Sequence, residues 1–181
     1  MAAYYDRPPG AFQISTSSSR WRNIVKAPVA WGASQDLWGP LTFNVLVDGK
    51  VVSTTQDTKS QVPPGAVSEG VHSWRVVAVD RHGQSVTTPV RPLKVDTVAP
   101  AVSFSVKRKQ RVATVTVKAS DVLPPSGQAS GIDFGDRKGF VQARKAAHVY
   151  GHTGAFTVRV SATDRAGNVT VAERRIHIGG K

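Results

Sequence analysis

The chain has 181 residues, no cysteine, and 24 Lys and Arg against 12 Asp and Glu, a formal charge of +12. The missing cysteine excludes a disulfide framework and a thiolate metal site, and no apolar run approaches the roughly 18 residues of a membrane-spanning helix. The charge is unevenly shared: residues 1–99 carry 10 basic and 7 acidic side chains (+3) and residues 100–181 carry 14 and 5 (+9), so the second half is the candidate for anionic partners.

The opening MAAYYDRPPG has no basic segment followed by an apolar one, so it is not expected to be a signal peptide. Residues 1–9 are expected to be a tail or linker. Ala11 to Ile14 is expected to form a short first strand. Pro28 to Trp31 is expected to form another, with its Trp buried. Leu41 to Val47 alternates apolar and polar residues, and Asp48-Gly49 then precedes the β-rich Lys50 to Thr55. A D-G pair between two such runs is a strong hairpin signal, because both turn positions need positive φ. Gln56 to Glu69 is expected to be a long polar connection, and Val90 to Val95 a strand at a sheet edge, since Pro89 and Pro92 lack ladder donors.

Between these segments lies a stretch that occurs twice. GVHSWRVVAVDRHG (Gly70 to Gly83) and GAFTVRVSATDRAG (Gly154 to Gly167) superpose without a gap at an offset of 84. His72, Trp74, Val76 and Ala78 share one side of the first copy, and Phe156, Val158, Val160 and Ala162 one side of the second, a period of two that marks a strand with one face in a core. The D-R-x-G ending is a tight turn, with Asp80 and Asp164 accepting backbone N–H groups and Gly83 and Gly167 supplying positive φ. These four residues are assigned a structural task.

The repeat, with a proline-bearing boundary at Asp96 to Pro100, predicts an all-β chain of two tandem immunoglobulin-like β-sandwiches. The first spans residues 10–96 and the second 101–181, joined by a linker at 97–100. In the second, Ala101 to Val106 and Val112 to Ser120 alternate about a tip at Lys107 to Arg111. Asp121 to Gly131 is expected to be a loop, and Val169 to Ile178 the last strand.

The segments IDFGD (132–136), HVY (148–150), GAFTVRVSATDRAGN (154–168) and RRIHI (174–178), in this order, resemble the polycystic-kidney-disease (PKD) domain over residues 98–178. The departure is Arg137 after Asp136, where the family has Gly. Residues 10–96 are similar to a fibronectin type III or bacterial immunoglobulin-like module, on a Trp in the second strand, FNVLVDGK (43–50) and the first copy of the repeat. The arrangement resembles the C-terminal parts of large secreted or surface-attached actinobacterial proteins. The resemblance implies a non-catalytic extracellular or cell-surface segment, cut from a longer protein, that acts as spacer, adhesive module or partner of a protein or carbohydrate. The alternatives are a virion or surface decoration subunit, suggested by the Met start, and a polyanion- or polysaccharide-binding module.

No G-x-S-x-G elbow and no phosphate-binding Gly loop before a helix occurs, so neither an enzyme nor a cofactor is expected. The five histidines, His72, His82, His148, His152 and His177, have no metal-ligand spacing. Asp133 and Asp136, helped by Asp121 or Asp164, are the calcium candidates, because hard Ca²⁺ takes several oxygens. Arg137 and Lys138 beside them oppose a cation, and the expected role is turn capping. Trp21 and Trp38 are the carbohydrate candidates, as they lie in less regular sequence and are expected at the surface. Lys107, Arg108, Lys109 and Arg111, with Arg137, Lys138, Arg144 and Lys145, are the polyanion candidates, for an anionic wall polymer or surface polysaccharide. No aromatic side chains interleave with them, so nucleic acid is not favoured as a specific partner.

Overall fold

Alternation in the sequence becomes alternation of burial in the computed structural model, which describes residues 7–37, 39–121 and 129–180. The chain divides into two compact units that meet between Thr97 and Val98. Among the described residues no helix is long and apolar enough to cross a membrane.

The first unit holds β1 (Trp21–Arg22), β2 (Val29–Ala30), β3 (Thr42–Val47), β4 (Lys50–Thr55), β5 (Lys59–Ser60), β6 (Gly70–Val79), β7 (Ser85–Thr87) and β8 (Arg91–Val95). One sheet runs β1-β8-β6-β3-β4, with β7 also on β6, and β2 pairs with β5. The register sets Phe43 opposite Ala78, Val45 opposite Val76 and Val47 opposite Trp74, so the inward residues of β3 and β6 stack in cross-strand pairs. With Trp31, Leu93 and Val95 they form the first core. The hairpin from β3 to β4 turns at Asp48 (φ 47°) and Gly49 (φ 79°), both left-handed, as a two-residue turn between right-twisted strands requires.

The second unit holds β9 (Ala101–Lys109), β10 (Val112–Ser120), β11 (Ala129–Asp133), β12 (Phe140–Gln142), β13 (Lys145–Val149), β14 (Gly154–Thr163) and β15 (Val169–Ile178). Its two sheets are β13-β10-β9 and β12-β11-β14-β15. Between them lies a second core that includes Val115, Ile132, Tyr150, Val158, Val160 and Ile178. Val76, Ala78, Val160 and Ala162, the inward residues of the repeat, are fully buried. Each buried Val side chain contributes on the order of 1.5–3 kcal/mol, so each repeat strand adds a hydrophobic column to the core of its unit.

Several local expectations are corrected, among them the polar connection Gln56 to Glu69, which holds β5 and buries Ser60 and Val62. The strand at Arg91–Val95 is not at an edge, because β1 joins it on the far side from β6. Pro92 is tolerated because β1 pairs only with Lys94 and Val95, leaving the Pro92 stretch with β6 alone. Ala11 to Ile14 forms no strand, only a bridge from Ile14 to Trp31. Lys107, Arg108 and Lys109 are not at a hairpin tip: β9 continues to Lys109, and the turn is Gln110-Arg111, with Gln110 at φ 52°. Ala129 to Gly131 is strand rather than loop, since β11 pairs there with β14.

Candidate interaction surfaces

The repeated aspartates sit where each long strand leaves its core. The Asp80 Oδ1 accepts the backbone N–H groups of His82 and Gln84, both at 2.8 Å, and the Gly83 N–H donates to the Asp80 carbonyl. The Asp164 Oδ1 accepts the Asn168 N–H at 2.8 Å, and its Oδ2 accepts the Asn168 side-chain amide at 2.8 Å. Both carboxylates thus hold the exit turn closed, with Gly83 at φ 82° and Gly167 at φ 86°.

Asp133 and Asp136 bracket a second turn. The Asp133 Oδ1 accepts the Gly135 N–H at 2.8 Å, and Asp136 accepts the Lys138 N–H and meets the His148 Nε2 at 2.7 Å. Burial pushes the Asp136 carboxyl up, but the hydrogen bonds from His148 and Lys138 and their charges outweigh it, so it lies below the ordinary value. His148 stacks on Phe134 at 4.6 Å, and the Tyr150 hydroxyl donates to the Phe134 carbonyl at 2.9 Å. Burial, then the charges of Asp136 and Asp133, push the Tyr150 phenol up to about 12. The turn is therefore the polar end of the second core. One oxygen of Asp133 and both of Asp136 accept backbone or ring N–H groups. Arg137 stands there at φ 65°, in the left-handed region that the glycine of the resembled family takes without cost.

In the first unit Asp48 plays the corresponding part. Its carboxylate meets the His72 Nδ1 at 2.6 Å and accepts the Ser73 N–H and hydroxyl, and these bonds hold it at about 2. The other His72 nitrogen faces the Ser68 carbonyl at 3.0 Å.

Trp31 and Trp74 are buried in the first core, at 3% and 1% exposure. Trp21 is half-buried in β1, paired with Lys94, and Trp38 lies outside the described residues. An open cleft of about 700 Å³ has Leu41 and Phe43 at its floor and Ser34, Gln35, Asp36 and Gln56 among its lining residues.

The predicted basic cluster divides. The Arg108 Nη1 donates to the His177 carbonyl at 2.9 Å and the Arg111 Nη1 to the Gly151 carbonyl at 3.1 Å, so both guanidinium groups are tied to backbone. Arg108 lies opposite the inward Ala113, whereas Lys107 and Lys109 lie opposite Thr114 and Val112 on the outer face of the three-stranded sheet. Lys145, opposite Thr116, shares that face. Arg137 and Lys138 sit in the turn after Asp136, and Arg144 directly precedes β13, with all three side chains exposed.

Two features lay beyond the sequence reading. Lys118, opposite Ser103, joins the outer face with Lys107, Lys109 and Lys145. Its place in an alternating run was legible, but the strand pairing that groups these lysines was not. Phe140, 57% exposed, lays its ring across Gly131 of the neighbouring strand, where an added Cβ would fall 1.6 Å from the ring.

The fold thus defines a chain of immunoglobulin-like β-sandwich modules. Neither a family model nor a curated protein matches the sequence. The fibronectin(III)-like modules of Clostridium thermocellum CbhA are similar in fold, with TM-score 0.51 and 14% identity over 94% of this chain and 95% of that one. The PKD1 domain of Vibrio anguillarum Epp matches with TM-score 0.43 and 19% identity over 46% of this chain and 98% of its own. That of the Vibrio cholerae metalloprotease PrtV matches with 0.41 and 20% over 45% and 98%. The structure is all-β, with PKD and fibronectin III-like modules among its structural neighbours.

Proposed function

We propose that this chain is a non-catalytic tandem segment of an extracellular or cell-surface protein, serving as spacer and adhesive module. The observation that carries the reading is the fate of the repeated polar residues. The Oδ1 atoms of Asp80 and Asp164, the acids common to both copies, accept the backbone N–H groups that close the turns of their own strands, and the remaining Asp80 oxygen is buried away from any substrate. A residue that recurs because it closes a turn encodes a module, whereas a residue that recurs for chemistry keeps a lone pair toward a substrate. The resemblance to PKD and fibronectin type III modules supports the same reading.

The test separates these roles. Asp80→Ala and Asp164→Ala each remove charge-assisted bonds of about 1.5–3 kcal/mol, and each is expected to lower the melting of its own unit. Below both melting temperatures, retention of the full chain on isolated cell envelope is expected to match the parent. A variant that melts like the parent but loses retention would overturn the structural assignment.

A further inference from the structure

The outer face of the β13-β10-β9 sheet carries lysine in a pattern that the linear sequence conceals. The pairing registers place its outward residues in four successive rows. Lys118 stands beside Ser103 and Lys145 beside Thr116 and Ser105. Lys107 stands beside Thr114 and Ala147, and Lys109 beside Val112 and Val149. Each row holds one lysine, contributed by β10, β13, β9 and β9 in turn. Successive rows are two residues apart, about 7 Å along the strands, and neighbouring strands are about 4.8 Å apart. All four side chains are exposed.

Acidic groups are kept off this face. None of the three strands contains Asp or Glu. Asp133, Asp136 and Asp164 are bound in turns, Glu173 meets Arg159 at 2.6 Å on β14 and β15 of the other sheet, and Asp121, just past the end of β10, has a carboxylate oxygen within 4.8 Å of one of Asp164. Four ammonium groups therefore share one sheet face with Ser and Thr hydroxyls and no carboxylate between them. The face also lacks Arg, His and aromatic side chains, the groups that stack on bases or grip a planar anion bidentately.

We propose that this face is a binding site for an extended, base-free polyol phosphate polymer that runs along the strands, one phosphodiester per lysine row. Three single bonds of an extended chain span about 3.6 Å, so a six-bond glycerol phosphate repeat extends roughly 7 Å, the spacing of the rows, while the flexible lysine stems reach it from strands up to about 10 Å apart across the face. Lysine meets each phosphate as a point charge, and Ser103, Ser105, Thr114 and Thr116 offer hydroxyls to phosphate and polyol oxygens. A single-stranded nucleic acid shares the backbone repeat but brings bases for which the face has no stacking partner. The site goes beyond the spacer role, and its test reads binding rather than architecture.

The test is titration of the full chain with poly(glycerol phosphate), followed by calorimetry at several salt concentrations. Four lysine contacts predict a slope of log K against log salt of about −3, and roughly a 60-fold loss between 50 and 200 mM salt. Replacing Lys107, Lys109, Lys118 and Lys145 by Ser is expected to weaken binding at least about 30-fold at 50 mM salt and to bring the slope close to zero. Replacing the same four by Arg, which keeps charge and position, is expected to retain binding and to cover the case in which the Ser variant does not fold. The combination of Arg108→Ser, Arg111→Ser, Arg137→Gly and Lys138→Ser removes equal charge from outside the face and is expected to cost less than about fivefold. An equal loss in that control would show that net charge alone binds the polymer and overturn the site. Equal affinity for an oligothymidylate, with the same lysine dependence, would overturn the base-free occupant.

Discussion

Tyr150 shows how one side chain ties the polar turn to the second core. The ring is buried among apolar residues, while its hydroxyl is held by the Phe134 carbonyl beside two carboxylates. Ionising it would place a negative charge in a desolvated pocket next to Asp136 and Asp133, so the proton is retained more tightly in the folded state. The ordinary phenol value is 10.0 and the folded one about 12. A folded value above the unfolded one means that the contribution is fully present below pH 10.0 and is lost as pH rises through about 12. Alkaline unfolding of the second unit is therefore expected to steepen across that window. Tyr150→Phe is expected to flatten this branch while costing about 1 kcal/mol at neutral pH for the lost hydrogen bond. Denaturant melts of parent and variant at a series of alkaline pH values check both effects. A branch of equal steepness in Tyr150→Phe would assign the alkaline loss to other groups.

Among elements, the IDFGD segment shows why one glycine in the second unit is indispensable. Gly135 has φ 77°, and a Cβ added there would stand 2.3 Å from the Thr157 carbonyl oxygen. Backbone conformation and space thus both exclude a side chain. The clash is with backbone of β14, which is anchored on both sides by β11 and β15 and cannot step aside. Gly135→Ala is expected to destabilise the second unit by about 2–4 kcal/mol, since positive φ and steric displacement add. A thermal shift below a few degrees would show that the turn relaxes freely. Gly131 has the opposite character, for the nearest atoms to an added Cβ are those of the Phe140 ring, which belongs to an exposed side chain at the sheet edge.

For the whole molecule, the two units repeat a strand but not its satisfaction. The second unit spends both oxygens of Asp164, because Asn168 donates its backbone N–H and its side-chain amide. The corresponding residue of the first unit is Gln84, and the Asp80 Oδ2 is buried there without a hydrogen-bond partner. A buried acceptor left unpaired costs about 1–3 kcal/mol. Gln84→Asn shortens the side chain to the length that reaches this oxygen in the other copy. It is expected to stabilise the first unit by about 1 kcal/mol. The two hydrophobic cores share no residue, so the gain is expected in the first unit's calorimetric transition and not in the second's. No gain, or a gain in both, would refute the correspondence of the two turns.

The sequence by itself determined the all-β class, the inward residues of the repeat, the Asp-Gly hairpin and the concentration of positive charge in the second half. These follow from short-range rules, since a period of two fixes which side chains share a face and a D-G pair fixes the sign of φ, whatever the rest of the chain does. Tertiary structure alone decided which strands lie side by side beyond the local hairpins, and with that the company each polar residue keeps. Lys118 and Lys145 are 27 positions apart, and only the pairing of β10 with β13 brings them onto one face. Arg108 and Arg111, which a linear reading groups with Lys107 and Lys109, are drawn away by carbonyls of His177 and Gly151. Pro92, an edge signal in isolation, belongs to a strand flanked on both sides, and is tolerated because β1 pairs only with Lys94 and Val95. Strand neighbours are selected by the closure of a common core, a free energy spread over the whole unit, so no local stretch of sequence specifies them.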